Sequence, residues 1–157
     1  MWPLTSVNLG NIAEIKYLVA DFKPHKTLGQ TITDEHFGNL EVVKNKRFGI
    51  HTLSKTIDFG LTGSMVLYLE NQSDQSTQDQ FQFFNTIIDN SPEILEAANK
   101  VYFDRYQTDI YKDFVLESLS ITDKDYNWEL WLVRIGGIEN CVIKFDGLIC
   151  KGISFQA

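Results

Sequence analysis

The stretch Asp123-Lys124-Asp125-Tyr126-Asn127 puts three oxygen-bearing side chains at alternate positions, the spacing with which a calcium loop begins. Such a loop needs glycine at its sixth position for the sharp bend and a bidentate glutamate at its twelfth. Counted from Asp123, these are Trp128 and Arg134, and a guanidinium does not ligate a cation. The segment is therefore expected to be a polar turn in which Asp and Asn bond their own backbone before a strand begins.

His25, His36 and His51 lie eleven and fifteen residues apart, which is no zinc spacing. Asp34-Glu35-His36 could join a metal site only with a distant ligand. "FGLTGS" has glycines but lacks the Gly-Lys-Ser/Thr ending of a phosphate loop. Neither metal nor cofactor is expected, and no catalytic residue is assigned. Paired carboxylates of the glycosidase kind stay open, because spacing along the chain does not set separation in space.

Cys141 and Cys150 are too few for a secreted disulfide scaffold and fit a reducing compartment. A two-residue turn at Asp146-Gly147 would set Ile143 opposite Cys150 and Cys141 opposite Gly152. The two thiols would then be diagonal neighbours on one apolar face, about 7–8 Å apart by backbone and too far for easy bridging. Asn71-Gln72-Ser73 matches a glycosylation sequon, a three-residue pattern common by chance.

Acidic residues are the most abundant chemistry. Residues 1–60 carry seven Lys/Arg against six Asp/Glu, whereas residues 61–157 carry seven against fifteen, so the net charge of −7 belongs to the second part. Such a field repels phosphate backbones and attracts basic proteins. Asp79, Asp89, Glu93, Glu96, Asp104, Asp109 and Asp113 fall on the outward side of two expected helices and the link that follows. Together they form a candidate partner-binding face, with Lys100 placed to bridge Glu96 and Asp104 at i,i+4 spacing.

The elements that position these residues follow from periodicity. Strand-like alternation runs over 12–22, 36–43, "RFGIHTL", "KTIDFG" and 63–70, with a polar loop over 23–35. The period changes at Asn71. Ser76-Thr77-Gln78-Asp79 resembles a capping box, and Phe81, Phe84, Ile87 and Ile88 recur at helical spacing, predicting a helix over 76–89. Ser91 as N-cap and Pro92 at the first helical position start a second helix over 92–107, with Ile94, Ala98, Val101 and Tyr102 inward. After about residue 113, "FVLESLSIT", "NWELWLVRI", "NCVIKFD" and "LICKGISF" read as four more strands. In the second of these, Trp128, Leu130 and Leu132 point one way and Trp131, Val133 and Ile135 the other, the mark of a central strand.

The expected fold is a single α+β domain over 1–157, a mainly antiparallel sheet with the two consecutive helices packed on one face. A chain of 157 residues with 43% apolar content is long enough for one real core. It has no signal-peptide pattern and no apolar run long enough to span a membrane, which predicts a soluble, cytoplasmic protein.

The order of "FGNLEV", "MVLYLE", "SPEILEAANKVYFDRY", a Trp-bearing strand and "IKFDGLICKGISF" over residues 36–155 resembles a group of largely uncharacterised bacterial domains, some of them assigned as toxin-immunity proteins. Many of those domains follow the Trp strand with Trp-x-x-Glu-His-Gly; here Trp131 is followed by Leu132-Val133-Arg134-Ile135-Gly136. The resemblance implies a non-enzymatic protein that blocks a cognate toxin by direct contact, and it carries over no catalytic residue. The competing class is a small enzyme or ligand-binding domain with a pocket between sheet and helices, using His36 or His51 beside a carboxylate.

Overall fold

The computed structural model describes residues 30–47, 50–59 and 63–157. Thr31–Ala157 forms one compact unit. The strand expected over 12–22, the first part of the loop expected over 23–35, and His25 lie outside the described residues.

In chain order the described elements are β1 (Thr31–Asp34), β2 (Gly38–Arg47), β3 (Ile50–Asp58), β4 (Ser64–Asn71), α1 (Gln78–Asp89), α2 (Ser91–Tyr106), α3 (Ile110–Asp113), β5 (Phe114–Thr122), β6 (Asn127–Arg134), β7 (Asn140–Asp146) and β8 (Ile149–Gln156). The strands form one eight-stranded sheet in sequence order. Every neighbouring pair is antiparallel except β4 and β5, which run parallel. Parallel neighbours need a crossover to bring the chain back to the same end, and α1, α2 and α3 supply it. The α+β class and the largely antiparallel sheet agree with the sequence reading.

Register sorts the side chains. The row Val42, Leu53, Leu69, Ile121, Trp128 and Phe145 crosses six strands, each residue opposite the next, and all six are buried. They share one apolar core with Ile87, Ile94, Ala98, Tyr102 and Ile110 from the helices. Each fully buried side chain of this size contributes roughly 1.5–3 kcal/mol relative to exposure. Aromatic contacts tie the helices to the strands and their turns: Tyr102 meets the edge of Phe114 at 5.8 Å, Tyr106 meets Phe155 at 5.8 Å, and Phe81 meets Phe37 of the β1–β2 turn at 5.1 Å.

The opposite face carries a second row, Thr31, Glu41, Ser54, Tyr68, Ser120, Glu129, Lys144 and Gly152, which crosses all eight strands. Trp131 stands on this side between Ser118 and Val142. Both of those smaller residues are buried.

Several local expectations are corrected. The loop expected through residue 35 contains strand β1; its last residue, Asp34, accepts the N–H groups of His36 (2.8 Å) and Phe37 (2.9 Å) and so closes the turn into β2. "RFGIHTL" and "KTIDFG" contribute to one continuous β3, not two strands. Within it Ser54 is buried, and Lys55 Nζ donates to the Phe37 carbonyl at 2.6 Å. Helix α1 is capped by Thr77, whose hydroxyl accepts Gln80 N–H at 3.0 Å, not by Ser76. Helix α2 includes Ser91, and Asn90 is its N-cap with no side-chain capping bond. Pro92 stays in the first turn, where its missing N–H loses nothing.

The β7–β8 turn lies one residue later than expected. Asp146 pairs with Ile149, so the two loop residues are Gly147 and Leu148. Gly147, at φ +61°, takes the first central position, as a type II′ turn requires. A register shift after Lys144 then sets Cys150 opposite Phe145 and Cys141 opposite Phe155. The thiols stay on the core face but four residues apart along the ladder, roughly 13 Å at the usual strand rise, and both are free.

Candidate functional site

The acidic side chains of the helices come out as follows. Asp79 stands in the first turn of α1, Asp89 ends it, and Glu93, Glu96 and Asp104 lie on α2; all five are exposed. At 100° per residue, Glu93, Glu96, Lys100 and Asp104 fall within one narrow stripe of α2. Lys100 Nζ reaches Asp104 at 2.8 Å, while no described ion pair includes Glu96. The ammonium is held more firmly protonated by its bond to Asp104 and by that carboxylate's charge.

Asp109 and Asp113 are half-buried and have structural partners. Asp109 caps α3, accepting Tyr111 N–H at 2.8 Å. Asp113 accepts the Tyr102 hydroxyl at 2.7 Å. The phenol of Tyr102 is pushed up to about 12, first by burial and then by that hydrogen bond.

Asp123, Asp125 and Asn127 form a polar turn. Asp125 accepts Asn127 N–H at 2.9 Å, Thr122 accepts Lys124 N–H at 3.2 Å, and Asp123 Oδ2 accepts Gln72 N–H at 2.9 Å from the end of the neighbouring strand β4. Asp123 Oδ1 is buried with no hydrogen-bond partner. Among the described residues, no group of three or more His, Cys, Asp or Glu side chains is arranged to hold a metal ion.

One histidine does meet an acid through a hydroxyl, an arrangement the sequence hid because its members are forty residues apart. Ser76 Oγ donates to Asp34 Oδ1 at 2.6 Å and lies 2.9 Å from His36 Nδ1, while Ser76 N–H donates to Asp34 Oδ2 at 2.7 Å. With the hydroxyl proton given to Asp34, the His36 proton must sit on Nδ1 and point at Ser76. A serine nucleophile needs the reverse, its proton passing to histidine and the carboxylate behind that ring. The trio is wired as a clamp between the β1–β2 turn and the start of α1. Burial raises the Asp34 carboxyl pKa, but its bonds from Ser76, Phe37 and His36 prevail and hold it below the ordinary value. The His36 ring also stacks on Phe81 at 5.6 Å.

Two shallow clefts open beside the polar row of the sheet. One, of about 520 Å³, is bordered by Glu70, Ser120, Glu129, Lys144 and Lys151; the other, of about 700 Å³, by Glu41, Ser54, Thr56, Val66 and Tyr68. Trp131 is half-buried, and its indole N–H donates to Glu129 Oε1 at 2.9 Å. Trp128 stacks on Phe145 at 4.5 Å and donates to the Gly147 carbonyl at 2.7 Å, so it belongs to the core. Burial pushes the Cys141 thiol up to about 12, with the Glu139 charge adding to the effect. A thiol so hard to ionise is a poor nucleophile.

No described helix is long and apolar enough to cross a membrane. No protein-family model, curated protein or solved structure matches the chain.

Proposed function

We propose that this chain is a non-enzymatic binding protein whose acidic helical surface docks a basic protein partner in the cytoplasm. On the resemblance of residues 36–155, the proposed partner is a toxin, neutralised by direct contact. The carrying observation is the exposed stripe of Glu93, Glu96 and Asp104 on α2, flanked by Asp89 and Asp79, in which Lys100 pairs with Asp104 alone. In this reading α1 and α2 both lie on the apolar face of the sheet and turn their acids to solvent. Asp109 and Asp113 sit at the margin of the surface.

Exposed carboxylates on a helix steer a basic partner and raise its association rate. Like-charged nucleic acid is repelled by the same field. The competing enzyme reading would draw on His36, Ser76 and Asp34. The direction of the Ser76 hydrogen bond favours a structural clamp instead.

The test is charge reversal at Glu93, Glu96 and Asp104 to lysine. The wild-type chain is expected to co-purify with a basic toxin from its native cells. The triple variant is expected to bind that protein at least about tenfold more slowly at low salt, with a flatter salt dependence. Unchanged binding and an unchanged salt slope would remove this surface.

A further inference from the structure

At the end of the sheet where β5 turns into β6 and β7 into β8, three large apolar side chains stand in solvent: Tyr126 (55% exposed), Leu148 (41%) and Ile149 (68%). Single exposed apolar residues are ordinary, but these come from two turns locked together. Gly147 N–H donates to the Tyr126 carbonyl at 2.9 Å, and the Trp128 indole holds the Gly147 carbonyl at 2.7 Å. Phe83 of α1 supports the Tyr126 ring at 4.9 Å.

Carboxylates surround this platform. Asp146 precedes the β7–β8 turn, and Asp79, Asp123 and Asp125 line a pocket of about 130 Å³ whose wall includes Phe83 and Tyr126. None of these four acids belongs to an ion pair among the described residues. Lys124 is the one cation within the β5–β6 turn. Asp123, which lines the same pocket, has its Oδ1 buried without a partner.

We infer that this end of the molecule is a docking surface for a basic protein segment that presents an aliphatic or aromatic side chain flanked by lysine or arginine. The apolar side chain packs on Tyr126, Leu148 and Ile149. A neighbouring cation enters between Asp79, Asp123 and Asp125, over the rings of Tyr126 and Phe83. Apolar contact supplies the anchor and the acidic ring rejects partners that lack positive charge. The inference rests on the reading of the chain as a binder of basic protein, and adds a second, chemically distinct contact to the helical stripe.

The test titrates the ¹⁵N-labelled full chain with the peptide Lys-Leu-Lys-Trp-Lys and, separately, with pentalysine. Amide shifts are expected over 122–127 and 146–149, with the mixed peptide bound at least about fivefold tighter than pentalysine. Ile149→Ser should weaken the mixed peptide about fivefold without moving the melting temperature, Tyr126→Ala should weaken it by a similar factor, and Asp125→Asn should flatten its salt dependence. Shifts confined to the Glu93–Asp104 stripe would overturn this surface and leave the helical reading standing. Equal binding of both peptides would reduce it to bulk charge attraction and overturn it. Absence of shifts with either peptide would sink both readings. Self-association that Ile149→Ser abolishes would assign the patch to a second copy and overturn the proposal.

Discussion

The side-chain amides of Asn71 and Gln80 donate to each other, Asn71 Nδ2 to Gln80 Oε1 at 2.9 Å and Gln80 Nε2 to Asn71 Oδ1 at 2.7 Å. Both residues are buried. The pair joins the last residue of β4 to the first turn of α1, so it sets where the chain leaves the sheet for the crossover. It also removes Asn71 of the apparent sequon from solvent.

Breaking one member orphans a buried donor and acceptor on the other. Asn71→Leu or Gln80→Leu alone is expected to cost about 2–3 kcal/mol, and the double variant to cost less than their sum by about 1–2 kcal/mol. Urea unfolding of the four proteins measures this. Additive losses would mean that the two amides are independently solvated.

Asp34 makes stability depend on acid. Its carboxyl is held below the ordinary 3.8 in the folded chain, so its contribution is fully present above that value and is lost as pH falls through the lower folded one. Asp34→Asn sets an amide N–H against the Ser76 N–H and is expected to cost about 1–3 kcal/mol at neutral pH. The variant should also lose less stability than wild type on acidification below about pH 4. Parallel pH profiles for the two proteins would contradict this account.

Alkaline loss is expected from Cys141 and Tyr102. Folding raises the thiol from 9.0 to about 12 and the phenol from 10.0 to about 12, chiefly by burial. Stability from each is whole below its unfolded value and drains as pH climbs from there through about 12. Tyr102→Phe, which drops the bond to Asp113, should cost about 1 kcal/mol at neutral pH and flatten the alkaline limb. At pH 8, a thiol reagent should modify the half-buried Cys150 before Cys141 in the native chain. Equal rates would mean that Cys141 is reached by local opening.

Gly147 sits at φ +61°, where a side chain strains the backbone. Gly147→Ala is expected to lose about 1–2 kcal/mol. Because the Trp128 indole holds the Gly147 carbonyl at 2.7 Å, a shift in tryptophan emission should accompany the loss. Unaltered stability would show that the turn relaxes into another type.

What was legible in the residues was local. Strands β5 and β7 fall where alternation put them, and α1 and α2 lie within two residues of their predicted ends. The α2 stripe of Glu93, Glu96 and Asp104 follows from the helical repeat alone. Strand β5 also held a clue that was missed. Its core-packed positions are Phe114, Leu116, Leu119 and Ile121, a break in phase at the register shift between Leu116 and Ser118. A second register shift, between Lys144 and Phe145, changed the cysteine pairing in the β7–β8 hairpin.

Side-chain period is settled within a few residues by backbone geometry, so β5, β7, the two long helices and the acidic stripe could be derived from the chain alone, whereas β1, α3 and the unbroken β3 could not. Tertiary structure decided which distant segments meet: the parallel β4–β5 pair, the Asp34–Ser76–His36 clamp, the Asn71–Gln80 pair, and the gathering of Asp79, Asp123 and Tyr126 at one end. Those contacts depend on closing loops of nine to about fifty residues against chain entropy, and packing of the whole core, not any local pattern, selects among the possible closures.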